Sequence, residues 1–334
     1  MPIIQTQYKA RGFYRSGTIQ TITPSLFRKV PTEHFVREKL ELDDGDFLHL
    51  DWSLAKAEKE PSSSERSKEL VIISHGLEGN SRRPYAAGIA RSANLNNMDA
   101  IAWNFRSCSG EMNRNLRIYH SGSTDDLQRV IEYAATFDYE SIYLVGFSMG
   151  GNLTLLHVGR EAQQLHPAVK AAVAFSVPCD LAASAHQLGL PHNKIYMKRF
   201  LRDLRNKVAD KAEKFPDKVS LEGFEQITNF YEYDDRYTAP IHGFKSAEDY
   251  WQQSSSLFYL KDIQIPALLV NALDDSFLSD TSYPYEIAKQ HPNLYLEVTP
   301  HGGHVGFIQK NAQGLYFSDK RALEFIRQVK EQTL

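Results

Sequence analysis

Ser148 stands in the stretch LVGFSMGGN, residues 144–152, with glycine at 146 and 150 and a further glycine at 151. At a sharp strand-to-helix turn, a Cβ at either flanking position would collide with neighbouring chain, so glycines in this pattern make room for a serine. The chemistry such a serine performs is nucleophilic attack on an acyl group. G-x-S-x-G alone arises by chance in roughly one chain in ten of this length, so placement has to carry the argument. The apolar run IYLVGF leads into the serine, and a helical pattern, MGGNLTLLHVGREAQQL, follows it. In that setting the hydroxyl projects above a sheet, and the amide of Met149, first in the new helix, points toward whatever the serine attacks.

A serine hydroxyl at neutral pH needs a base, and the base needs a group to orient it. Of twelve histidines, His301 and His304 in TPHGGHVGF (299–307) are best placed, directly after the apolar run LYLEV. His304 is preferred because two glycines precede it and permit close approach. The acid is expected between serine and histidine in chain order. LLVNALDDSFLSD supplies Asp274 and Asp275, and Asp275 is preferred. SHGLEGNS (74–81) follows the first long apolar run, and there the Leu77 amide is expected to join the Met149 amide in holding an oxyanion. His75 in the same stretch reads as a residue that shapes the turn.

Those residues need a scaffold that brings them to one edge. Continuous apolar runs at 70–74, 99–105, 142–147, 171–177, 266–273 and 294–298 predict strands buried on both faces. Helical patterns at 84–94, 124–137 and 149–163 alternate with them, which predicts a mostly parallel sheet flanked by helices. A hairpin is expected over 35–52, turning at Asp44-Gly45, and the polar stretch 55–69 reads as an exposed loop. Residues 180–260 break the alternation. They are read as a helical cap insertion, with the core formed by 1–179 and 261–334. Within the insertion, Phe200, Leu201, Leu204 and Val208 form an apolar stripe on a Lys- and Arg-rich helix. This stripe packs on the sheet domain or meets lipid. The aromatic stretch 230–244 either packs within the cap or lines an acyl pocket.

Composition excludes several function classes. A net charge of -3 with mixed signs gives no footprint for nucleic acid. No apolar run is long enough for a membrane helix, and residues 1–17 have no signal-peptide core. Cys108 and Cys179 are read as buried thiols in a cytoplasmic protein. No His, Asp or Glu cluster has metal-ligand spacing, so neither a metal nor a cofactor is expected.

HGLEG, GFSMGG, NALDD and GGHVGF in this order resemble the α/β-hydrolase superfamily. QTITPSLFR (20–28), NFRSCSGEMNR (104–114), RIYHSGSTDDL (117–127) and YTAPIHGF (237–244) narrow the resemblance to the YheT-like esterase group, to which the ABHD1/ABHD3-type lipases are related. It implies a serine hydrolase acting on small-molecule carboxylic esters, with Ser148 as nucleophile, Asp275 as acid and His304 as base. Two positions depart from the pattern: Ser107 stands where glycine is usual, and Ser276 where proline is usual. If the backbone at 107 is left-handed, serine there costs about 1–3 kcal/mol of strain. An acyltransferase sharing the acyl-enzyme and a non-catalytic binding protein on the same fold are the rival readings.

Overall fold

The computed structural model describes residues 2–56, 66–309 and 311–334. Its strands are β1 (Ile3–Ile4), β2 (Val36–Glu41), β3 (Phe47–Ser53), β4 (Glu69–Ser74), β5 (Asp99–Asn104), β6 (Ser141–Phe147), β7 (Val169–Phe175), β8 (Ala267–Ala272) and β9 (Leu294–Thr299). They form one sheet in the order β1-β9-β8-β7-β6-β4-β5-β3-β2. Only the β2/β3 and β3/β5 pairings are antiparallel. The six apolar runs are the six strands from β4 to β9. Every residue of β5 and β8 is buried, as expected where helices cover both faces.

The helices are α1 (Gly17–Phe27), α2 (Pro84–Leu95), α3 (Thr124–Ala135), α4 (Met149–Arg160), α5 (Leu181–Gly189), α6 (Lys194–Lys214), α7 (Phe230–Tyr233), α8 (Ala239–His242), α9 (Ala247–Ser254), α10 (Tyr285–Gln290) and α11 (Phe317–Lys330). One face of the sheet packs against Leu127, Val130 and Ile131 of α3 and Leu153, Leu155 and Val158 of α4. The other packs against the alanine-rich side of α2 and Leu323, Phe325 and Ile326 of α11. The pattern at 149–163 is helical only to Arg160. Helices α1, α10 and α11 lie in segments where the strand-and-helix alternation gave no separate signal. Of the polar stretch 55–69, residues 57–65 lie outside the described residues, and its last residue already belongs to β4.

Among the described residues, the chain between β7 and β8 contains helices and turns but no strand. Leu201, Leu204 and Val208 of α6 are buried in a cluster with Phe224, Phe230, Tyr233 and Trp251, so the stripe of α6 packs inside this insertion. Phe200 stays half-buried. Lys211 of α6 departs furthest from the solvated pattern of its basic neighbours. Lys211 is 1% exposed, and its Nζ donates to Asn113 Oδ1 at 2.7 Å. Burial pushes its ammonium down to about 8.

Asn113 passes this connection on to Asp46, which lies beside Arg106. Arg106 is 3% exposed and reaches Asp126 at 2.8 Å, Asp44 at 2.7 Å and Asp46 at 3.0 Å. One buried guanidinium thus ties the β2–β3 turn to α3 and, through Asn113, to the insertion. Ser107, next in sequence, has φ of 65°, so the strain expected of serine in place of glycine applies here. Its hydroxyl donates to Asn113 Oδ1, a bond that glycine could not make. Removing one partner of a buried ion pair leaves the other uncompensated, at a cost of about 3–5 kcal/mol. Arg106→Met is therefore expected to lose about that much in urea unfolding.

Candidate active site

Ser148 is the hinge between β6 and α4, and its backbone is held at φ 54° and ψ −122°. No side chain adopts that conformation without strain. Its amide donates to Phe175 O, the last residue of β7, at 2.8 Å. The flanking glycines are required by contact: a Cβ on Gly146 would lie 2.3 Å from Gly150 O, and one on Gly150 would lie 2.3 Å from His75 O and 2.4 Å from Ser74 O. These neighbours are backbone atoms and cannot move aside. The first turn of α4 therefore sits directly on the end of β4, and the loop after β4 is brought to the serine. A Cβ on Gly76 would come 3.2 Å from Ser148 Cβ.

The three side chains singled out in the sequence converge. His304 Nε2 lies 2.8 Å from Ser148 Oγ, and His304 Nδ1 lies 2.8 Å from Asp275 Oδ2. The Asp275 side chain is fully buried and that of His304 is 11% exposed. The second carboxylate oxygen of Asp275 accepts from the Phe277 amide at 3.0 Å, which fixes the plane it presents. The Phe277 ring packs on the imidazole at 4.3 Å between centroids. A carboxylate on Nδ1 favours the tautomer with its proton there, leaving Nε2 to accept from the serine.

Asp274 and His301 form a separate pair beside this one, 3.4 Å apart and partly exposed. Asp274 is turned to the Gly303 amide at 2.8 Å, and burial pushes its carboxyl up from the ordinary value. Among the described residues, neither is hydrogen-bonded to Ser148.

The loop carrying His304 is clamped by a helix that sequence patterning did not reveal. Thr21 Oγ1 of α1 accepts from the His304 amide at 2.9 Å. The buried Gln20 Oε1 accepts from the Ile308 amide at 2.8 Å. This packing is close enough that a Cβ on Gly303 would lie 2.3 Å from Gly17 O. Gly303 also has φ of 55°, so both conformation and contact require glycine there. The segment QTITPSLFR contained Gln20 and Thr21, but nothing local in it announces a contact nearly 300 residues away.

On the opposite side, Met149 is the first residue of α4 and Leu77 lies in the β4–α2 loop. Among the described residues, neither amide has an acceptor in the protein, as expected of donors kept for a ligand. The next residue, Glu78, is left-handed at φ 52°. Its amide donates to Tyr119 Oη at 3.1 Å, and its carboxylate meets Lys207 Nζ of α6 at 3.4 Å. The conformation of this loop is thus coupled to the insertion. A second tie runs through Ser276, whose Oγ donates to the buried Asn193 Oδ1 at 2.8 Å while Asn193 Nδ2 donates to Ser276 O at 2.7 Å. A proline at 276 would lack the first of these bonds.

Two clefts meet at the serine. The inner one, about 800 Å³, runs under the insertion between Leu181, Leu188, Phe200, Leu204 and Phe230. The outer one, about 1370 Å³, opens between α1 and the start of α6 and includes His304 and Ile195. Both clefts are lined in part by Leu77, Ser148 and Phe277. Among the described residues, no group of three or more His, Cys, Asp or Glu could hold a metal ion. Both cysteines are buried, which pushes each thiol up to about 12.

The alpha/beta hydrolase fold family model matches residues 69–311. The chain is 35% identical over 301 residues to the putative esterase YheT of Escherichia coli (strain K12), a match covering 89% of this chain and 86% of that one. It is 26% identical over 310 residues to phospholipase ABHD3 of Homo sapiens, covering 92% and 75% of the two chains. Among solved structures, the Pyrococcus furiosus esterase Pf2001 superposes with a TM-score of 0.57 at 16% identity, covering 89% of this chain and 91% of that one. At that identity the likeness speaks to the fold alone.

His75 is fully enclosed at this junction. Its Nδ1 faces Gly76 O at 2.8 Å, and its Nε2 accepts from the Phe105 amide at 3.1 Å. Both nitrogens are thereby committed to backbone in the neutral form, and burial pushes the ring down to about 3. The folded state then binds fewer protons than the unfolded state between about pH 3 and the ordinary 6.5, so stability falls as pH drops through that window. Lowering the pH from 6.5 to about 5 is expected to remove about 1–2 kcal/mol through this group. Urea midpoints across the range check it: His75→Asn should be less stable overall but show a shallower pH slope.

Proposed function

The chain belongs to the alpha/beta hydrolase fold family, and from that premise we propose that it hydrolyses carboxylic esters through an acyl-enzyme on Ser148. The observation that carries this reading is the unbroken hydrogen-bonded line from Ser148 Oγ to His304 Nε2 and from His304 Nδ1 to Asp275 Oδ2, each step 2.8 Å.

In this mechanism Ser148 Oγ attacks the ester carbonyl while His304 Nε2 takes its proton. Asp275 stabilises the imidazolium and holds the ring in place. The Leu77 and Met149 amides receive the oxyanion, each donor contributing about 3 kcal/mol to the barrier reduction. His304 returns the proton to the departing alcohol, and water then repeats the sequence on the acyl-enzyme. The inner cleft, with its wall of Leu181, Leu188, Phe200, Leu204 and Phe230, suits the acyl chain. The outer cleft suits the alcohol portion, and its rim carries Ile195 at 81% exposure and Leu26 at 65%. An apolar rim of this kind fits lipid-like esters and transient contact with a lipid surface.

An alcohol in place of water would make the same acyl-enzyme a transferase, and product analysis with added alcohol separates the two outcomes. Buried unpaired thiols and the absence, among the described residues, of a helix long and apolar enough to cross a membrane are consistent with a cytoplasmic setting.

Ser148→Ala and His304→Ala are each expected to lower kcat/KM on p-nitrophenyl esters by about 10⁴-fold or more, with His301→Ala within about threefold of the parent. Steady-state assays on the three variants decide it. Turnover retained by Ser148→Ala would refute the proposal, and a large loss in His301→Ala would move the base to that residue.

A further inference from the structure

The inner cleft is not apolar throughout. Beside its aliphatic and phenyl wall it is lined by Tyr233, Asp234, Thr238 and His120. Asp234 and Thr238 bound a π-helical turn that breaks the α7–α8 helix, a distortion often found where a helix is shaped around a ligand. The polar groups are deeply placed: Tyr233 is 3% exposed and Asp234 is 9% exposed.

Their hydrogen bonding is incomplete. Tyr233 Oη is buried and, among the described residues, has no partner. The Asp234 carboxylate accepts from Thr238 Oγ1 at 2.6 Å and from Trp251 Nε1 at 2.9 Å, which leaves each oxygen with a further lone pair. His120 Nδ1 accepts from the Gly122 amide at 3.1 Å, so the ring proton is on Nε2. Burial pushes the Asp234 carboxyl up to about 7, as expected of an acid without a cationic partner.

A cleft built only for hydrocarbon would not keep these groups. A buried hydroxyl left unpaired costs about 1–3 kcal/mol, and phenylalanine at 233 would supply the same packing without that cost. The missing partner must both accept from Tyr233 or His120 and donate to Asp234, and a hydroxyl does both. A carboxylate does not, because it has no proton to donate.

We infer that Tyr233 and Asp234 form a recognition station in the acyl cleft, selecting esters whose acyl chain carries a hydroxyl group. This inference rests on the ester-hydrolase reading for the position of the acyl chain. A site that pairs a substrate hydroxyl discriminates against the analogue lacking it, because the buried polar groups are then left unpaired.

The test uses p-nitrophenyl esters of straight-chain acids of about six to twelve carbons, each as the plain acid and as its terminal hydroxyl form, on the full chain. At one or more lengths the hydroxyl ester should exceed its plain counterpart in kcat/KM by about tenfold. In Tyr233→Phe that ratio should fall toward one, with thermal stability unchanged or raised. Asp234→Asn should lower the ratio as well. A ratio at or below one at every length in the parent overturns the inference, as does a ratio that survives in Tyr233→Phe.

Failure of the hydrolase reading looks different: no ester is turned over and a fluorophosphonate does not label Ser148. In that case calorimetry with the free hydroxy acids and plain acids still decides the station, and equal affinities at every length overturn it.

Discussion

The approach of α4 to the end of β4 is the constraint on which the rest of the site depends. Carbonyls of Ser74 and His75 lie where a Cβ on Gly150 would be, and the carbonyl of Gly150 lies where one on Gly146 would be. With the helix seated this deeply, the strand-to-helix turn has no unstrained path, and Ser148 takes a positive φ. The same contact sets the loop after β4 against Ser148, so one packing event positions both its hydroxyl and the loop carrying the Leu77 amide. Strain at the serine is sustained because two parallel strands and a helix, all buried, over-determine its position.

Around that fixed point the neighbouring groups are held by long-range polar contacts. The imidazole is aligned by Asp275 from the end of β8, by Phe277 beneath the ring, and by Thr21 of α1 at its backbone. The loop after β4 is restrained from the other side by Tyr119 and by Lys207 of α6. Ser276 and Asn193 join the acid-bearing loop to the same insertion. The segment between β7 and β8 is thus tied both to the loop carrying Asp275 and to the loop carrying Leu77.

The strand runs and the tight turn at Ser148 were readable because each is local: β-strands buried on both faces are continuous apolar runs, and glycines flanking a strand-to-helix turn have a steric explanation. The placement of Asp275 and His304 beside Ser148 was legible from the rule that a parallel sheet collects the loops after its strands at the carboxyl edge. What escaped was non-local. The stretch holding Gln20 and Thr21 has no strong helical periodicity, and its role exists only against a loop far along the chain. Lys211 reads as one more solvated lysine on a basic helix until Asn113 is placed beside it. Ser107 was legible as a departure from a glycine, and its left-handed backbone gives that departure its physical cost, while its bond to Asn113 is visible only in three dimensions. Tyr233 reads as one of several aromatics that pack within the cap or line an acyl pocket, since a missing partner cannot be read from composition.

The account claims that Ser148 is the nucleophile and that the Leu77 and Met149 amides receive the negative charge. A crystal structure of the protein reacted with an alkyl fluorophosphonate tests both at once. The account predicts phosphorus bonded to Ser148 Oγ, with one phosphonyl oxygen about 3 Å from each of the two amide nitrogens and the alkyl chain in the inner cleft. A label on another residue, or an adduct whose oxygen faces away from both amides, would contradict it.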